Sequence, residues 1–172
     1  MSDLKPRIKR PLAPSGGNDR VFTPTQTAKL IVDHFMPCGR ILEPCKGEGA
    51  FSDLMPGCDW CEIEKGVDFF EASGKWDWIV TNPPWSKFRD FLKHGMKVAD
   101  NIVFLSLVNA WFMKARQRDM LEAGFGMVEI FYVPVPPVPW PQAGFSLGAC
   151  WIRRGWTGGL HFSGHINKGL IK

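Results

Sequence analysis

Thr81-Asn82-Pro83-Pro84-Trp85 places an amide, two prolines and an indole in consecutive positions. The Asn82 side-chain oxygen and a main-chain carbonyl beside it can point at one spot, because neither proline nitrogen carries a proton to donate. The Trp85 ring offers a flat apolar face next to them. Two acceptors beside a stacking surface suit a planar substrate bearing an exocyclic amino group. The plain alternative is a Pro-Pro turn that does no more than end the strand read at residues 76–81.

A second group of residues lies upstream. Arg40-Ile41-Leu42-Glu43-Pro44-Cys45-Lys46-Gly47-Glu48-Gly49-Ala50-Phe51 reads as a strand, a glycine-rich turn and the start of a helix over residues 49–54. Gly47 and Gly49 let the backbone approach a ligand closely, as in nucleotide-binding βαβ units. The third glycine of the dinucleotide pattern is missing, and no G-x-x-x-x-G-K-[ST] occurs, which argues against phosphate binding of the P-loop kind. Glu43, at the end of the strand, stands where a carboxylate could meet an ammonium group.

In this order the residues resemble the S-adenosylmethionine-dependent adenine-N6 methyltransferases, in the arrangement with the cofactor-binding half first. Glu43-Pro44-x-x-Gly47-x-Gly49 is similar to the family's cofactor loop, and Asn82-Pro83-Pro84-Trp85 to its catalytic motif. Phe22-Thr23-Pro24 resembles the segment over the methionine end of the cofactor. Cys61-Glu62-Ile63-Glu64 resembles the end of the second strand, and Asp68-Phe69-Phe70 the step that contacts the cofactor's adenine.

The resemblance spans residues 20–155 and implies an α/β, Rossmann-like class I methyltransferase fold: a mostly parallel sheet with a terminal antiparallel strand. It implies that Glu43 and Pro44 lie near the methionine end and that Gly47 and Gly49 pass under the cofactor backbone. Glu62 would accept the ribose hydroxyls, Ile63 would pack on the adenine, Asp68 would accept from its amino group and Phe69 would border it. Were the second strand one step longer, Glu64 would take the place of Glu62.

The implied reaction is methyl transfer to N6 of adenine in DNA. Hydrogen bonds from the amine to Asn82 and to the Pro83 carbonyl localise its lone pair, and Trp85 stacks on the base, with Trp140 or Phe145 closing the other face. An RNA adenine methyltransferase would carry the same motif. A glutamine-N5 protein methyltransferase shares Asn-Pro-Pro but resembles Tyr at the aromatic position, and a catalytically silent binding module would be expected to show a damaged motif.

These side chains need a scaffold. The 172 residues and an apolar fraction of 45% allow one globular domain with a good core. Helices are expected over residues 25–35, 87–98 and 112–123, and strands over 40–43, 59–62, 76–81, 101–108, 127–133 and 145–153. The expected division is a disordered basic arm at 1–19, a methyltransferase domain at 20–155 and a glycine-rich basic tail at 156–172. In this family a target-recognition domain follows the catalytic one, and the glycine-rich residues 155–172 are too few to build it, so low sequence specificity is the expectation.

Lys5, Arg7, Lys9, Arg10 and Arg20 outnumber Asp3 and Asp19 at one end. Arg153, Arg154, Lys168 and Lys172 face no acid at the other, within a net charge of +4. Basic ends on a mildly acidic body suit contact with nucleic-acid phosphates. No apolar run spans a bilayer and no signal-type core is present, so a cytoplasmic location without membrane partners is expected. Five scattered cysteines fit reduced thiols. Cys58-x-x-Cys61 lacks two further ligands at suitable spacing, so no metal is expected.

Overall fold

The computed structural model describes residues 21–140 and 146–164. The helix α1 (Thr25–Phe35) starts after Pro24, whose carbonyl accepts from the amides of Thr27 and Ala28 at 2.9 and 3.0 Å. Ala28, Ile31 and Phe35 recur at helical spacing and are buried, and Met36 ends the helix in a left-handed conformation. The strands β1 (Ile41–Glu43), β2 (Asp59–Trp60) and β3 (Trp76–Thr81) follow. The helix α2 (Phe88–Val98) leads directly into β4 (Ala99–Leu107). Two helices, α3 (Val108–Trp111) and α4 (Lys114–Glu122), precede β5 (Phe125–Tyr132), β6 (Leu147–Arg154) and β7 (His161–Gly164).

The strands form a seven-stranded sheet in the order β2-β1-β3-β4-β6-β5-β7. Within it β6 runs against the other six and is inserted between β4 and β5. The antiparallel strand expected near the end of the chain is therefore interior to the sheet. Leu42 pairs with Ile79 across β1 and β3, and Thr81 with Phe104 across β3 and β4.

Successive residues of the central strands enter opposite cores. Ile79, Ile102 and Phe104 pack with Phe88, Leu92 and Met96 of α2 and Met120 of α4. Val80, Val103 and Leu105 pack with Ala28, Ile31 and Phe35 of α1. A sheet covered on both faces explains the nearly continuous apolar sequence of β4. Full burial of each large aliphatic side chain contributes roughly 1.5–3 kcal/mol. Ile79 and Val80 are at most 1% exposed, so the strand directly preceding Asn82 is anchored from both sides.

Two local expectations change. Residues 49–54 form a tight turn and a single 3-10 turn, Ser52–Leu54, because Gly49 takes φ 96° and Pro56-Gly57 follow at once. The segment between β2 and β3, where no helix is expected, holds two 3-10 turns, Ile63–Lys65 and Phe69–Glu71. Within the stretch read as a tail, β7 adds to the sheet beside β5. Glu129 of β5 holds it there, accepting from the Ser163 hydroxyl and pairing with His34 Nε2 of α1 at 2.7 Å.

Arg154, counted among the basic C-terminal residues, is occupied. It pairs with Asp100 at 2.7 Å and donates to the Met96 carbonyl. The arm at 1–19 lies outside the described residues. Among the described residues no helix is long and apolar enough to cross a membrane.

Candidate active site

The chain passes from β1 to β2 on one side and then crosses to β3 on the other side of β1, so a crevice opens at the carboxyl ends of β1 and β3. A cavity of about 690 Å³ lies there, within the usual range of small-molecule sites. Its lining includes Phe22, Thr23, Pro44, Gly47, Glu62, Ile63, Asp68, Phe69, Asn82 and Pro84. Residues far apart in sequence thus meet around one space. Glu43, Gly49, Pro83, Trp85 and Trp140 do not line it, and Phe145 lies outside the described residues.

The loop after β1 is held by backbone and carboxylate contacts. Lys46 N–H donates to the Cys61 carbonyl at 3.0 Å, and Gly49 N–H to the Lys46 carbonyl at 2.8 Å. Gly47 has φ 50°, and a Cβ there would stand 3.1 Å from the Phe22 ring. A side chain there would be strained by the positive φ and would need the Phe22 ring to give by a few tenths of an ångström. Glu62 Oε2 accepts the Gly47 N–H at 2.6 Å while Oε1 accepts that of Glu64 at 3.2 Å. One carboxylate therefore joins the glycine loop to the turn after β2. Asp68 caps the next turn by accepting from Phe70 N–H at 2.9 Å. Phe69 is buried, stacked on Phe91 at 5.1 Å, whereas Ile63 is exposed at the rim.

Glu43 is completely buried under this loop. Oε1 accepts the Thr81 hydroxyl at 2.5 Å and, at 3.4 Å, the Cys45 amide. Oε2 has no partner among the described residues. Burial pushes the carboxyl from an ordinary 4.5 up to about 8, against the Thr81 and Cys45 hydrogen bonds that lower it. Burial likewise raises the thiols of Cys45, Cys58 and Cys61, the last to about 11. Among the described residues no three His, Cys, Asp or Glu side chains are grouped to hold a metal ion.

Asn82 follows Thr81 at the end of β3. Its Nδ2 donates to the Val21 carbonyl at 3.4 Å, which orients the amide, and its Oδ1 is buried without a partner among the described residues. A buried unpaired acceptor is costly, and such atoms mark places where a donor is meant to arrive. Pro83 is buried and Pro84 lines the cavity. Trp85 is half-buried, with Trp140 edge-on at 5.9 Å. Trp140 is 3% exposed and donates from Nε1 to the Phe22 carbonyl at 3.1 Å, so it anchors the segment over the glycine loop.

Reading the sequence missed Lys46, Lys65 and Lys87, all on the cavity wall. Lys46 and Lys65 stand over the Trp60 ring at 4.4 and 5.5 Å. The only signal for Lys46 and Lys65 was their closeness in sequence to the glycine loop and to Glu64, and for Lys87 its place two residues after Trp85.

No protein-family model matches the sequence, and no curated protein matches it significantly. Solved structures share the fold. A protein assigned as an RNA methyltransferase from Pyrococcus horikoshii superposes with a TM-score of 0.57, over 76% of this chain and 82% of its own, at 13% identity. Magnesium protoporphyrin IX methyltransferase from Synechocystis, solved with bound SAM, gives 0.55 over 76% and 79% at 12% identity. A chain of a type I restriction–modification system gives 0.55 over 88% of this chain at 14% identity, and this chain spans 46% of its length. The architecture is thus the Rossmann-like class I methyltransferase fold.

Proposed function

We propose that the protein transfers a methyl group from S-adenosylmethionine to the exocyclic N6 of adenine in DNA. The observation that carries the reading is the buried, unpaired Oδ1 of Asn82 at a cavity formed by the glycine loop. The N6 amine is a weak nucleophile because its lone pair is delocalised into the ring. An N–H bond to Asn82 Oδ1, with the Pro83 carbonyl as second acceptor, draws that lone pair out of conjugation. Asn82 acts by position and electrostatics, with no change of its own protonation. Trp85 supplies the stacking face, and a base in a duplex must leave the helix to reach it.

The cofactor supplies an electrophilic methyl group, and the cavity residues fit it. Phe22 and Thr23 line the cavity, and the orphaned oxygen of Glu43, buried beneath the loop and off the cavity wall, suits the methionine ammonium. Gly47 and Gly49 let the backbone pass close. Glu62 suits paired hydroxyls, and Ile63, Asp68 and Phe69 suit an adenine. The methyltransferases among the structural neighbours, one of them with bound SAM, support this cofactor by analogy of fold.

Glu62→Ala should weaken binding of S-adenosylmethionine or its demethylated product by roughly 1–3 kcal/mol. It removes charge-assisted acceptors for the ligand and unties Gly47 from the turn. Titration calorimetry with both proteins measures the difference, and equal affinities would move the ribose role to Glu64.

The decisive experiment for the whole reading is incubation with labelled cofactor and separate DNA, RNA and protein pools, followed by nucleoside mass spectrometry. N6-methyladenine in the DNA pool is the expected product. Label in RNA alone, in glutamine of the protein pool, or nowhere would select the RNA enzyme, the protein methyltransferase or the silent module instead.

A further inference from the structure

A second cavity of about 230 Å³ shares no lining residue with the first. Trp85, Ser106, Asn109, Ala110, Met113 and Arg116 are on its wall, and no carboxylate is. Two of the lining residues carry a buried N–H without a partner among the described residues, Trp85 at Nε1 and Arg116 at Nε.

Arg116 is fixed in place. Its Nη1 donates to the Ala110 carbonyl at 2.6 Å, and its guanidinium lies 4.9 Å over the Phe88 ring. Among the described residues it has no counter-charge. The carboxylate of Asp119 is taken at both oxygens by Arg89, at 2.6 and 2.9 Å, and Arg89 acts on Arg116 as a like charge. Ser106 is already engaged, accepting from Trp111 Nε1 at 2.8 Å and donating to the Leu107 carbonyl at 3.4 Å. A cavity walled by an arginine and no carboxylate, with an unpartnered N–H on two of its lining residues, suits an anion with several acceptor oxygens, and a guanidinium matches phosphate geometry best.

We propose that this cavity binds a phosphate oxyanion, and that in the working complex the phosphate is a backbone phosphodiester beside the target adenine. The second half rests on the nucleic-acid reading above. Trp85 links the two, because it follows the Asn82 loop by three residues and also walls this cavity. The phosphate would position the strand while Asn82 reads the amine.

The test uses the full chain with the demethylated cofactor and an adenine-containing oligonucleotide. A single neutral methylphosphonate is walked along the backbone. Wild type should lose about tenfold in affinity at one position near the methylated adenine, and Arg116→Gln should show no loss there. The plot of log affinity against log salt should flatten in Arg116→Gln by about one phosphate, roughly 0.7–0.9 in slope. Cofactor affinity should be unchanged.

Should Arg116→Gln fail to fold, Ala110→Leu narrows the cavity with the guanidinium intact and should abolish the same positional loss. Equal losses in wild type and variant at every position would overturn the proposal while adenine methylation of the same oligonucleotide kept the functional reading. Arg116-dependent binding of inorganic phosphate without any methylphosphonate effect would make free phosphate the ligand and overturn the backbone claim. Absence of both binding and methylation would overturn both readings together.

Discussion

Asn82→Ala is expected to lower methyl transfer by about 10²–10³-fold, the scale on which a single positioned hydrogen-bonding group at the reacting centre acts. The mutation removes the unpaired Oδ1 that would meet the target amine. It leaves Gly47, Glu62 and Glu43 as they are, so affinity for the demethylated cofactor should not change. Nδ2 also orients the amide through the Val21 carbonyl, a weak contact at 3.4 Å whose loss costs little stability. Asn82→Asp keeps an acceptor oxygen at the same place and should retain more of the rate than Asn82→Ala. Single-turnover kinetics at saturating substrate measure both variants, and near wild-type turnover in Asn82→Ala would remove this side chain from the chemistry.

The second large effect is on stability against pH. Glu43 is raised in the folded protein from 4.5 to about 8, chiefly by burial. Between those values the folded state holds a proton that the unfolded chain has released. Stability is therefore fully present below about 4.5 and falls as pH rises toward 8. Glu43→Gln is close in shape to the protonated acid and removes this slope. Below pH 4.5 the two proteins should unfold alike, and at pH 8 the variant should be more stable by an amount on the order of a few kcal/mol. Denaturant unfolding across that range measures it, and parallel curves for the two proteins would contradict the buried, proton-holding carboxyl. A cation reaching Oε2 should reverse the preference, so cofactor binding near neutral pH should release a proton, visible as a buffer-dependent heat.

What could be read from the sequence depended on how locally each feature is encoded. Asn82-Pro83-Pro84 and Gly47 act through properties of the residues themselves, a missing N–H and a permissive φ, and the structure brings Asn82, Pro84 and Gly47 to one cavity. The central strand β4 was legible because burial on both faces leaves an apolar run. The helix expected after Gly49 was not formed, since φ 96° at that glycine and the turn at Gly57 leave no room for one. Trp140 became a buried anchor through its bond to Phe22, 118 residues away, which no local pattern announces. The same holds for β7, which is secured by a contact from Ser163 to Glu129 rather than by a run of strand-forming residues. Arg116 carries no local signal in the sequence beyond its place within residues 112–123. Its setting is tertiary: the carboxylate of Asp119, three residues on, is held by Arg89.

The insertion of β6 between β4 and β5 also governs how the molecule can assemble. Each neighbour of β6 precedes it in the chain, and the Phe104–Cys150 pairing closes a loop of more than forty residues. Such long-range pairing slows folding, because the loop's entropy is lost before the ladder compensates. Until residues 147–154 arrive, β4 and β5 each present an open edge made of some of the most apolar sequence in the protein. Open apolar edges pair with whatever strand is near, including those of other copies. A growing chain is thus most prone to aggregation just before its last interior strand is made. The proline-rich stretch from Pro134 to Pro139, which cannot itself join a ladder, lies in the connection that separates β5 from the strand that must cover it.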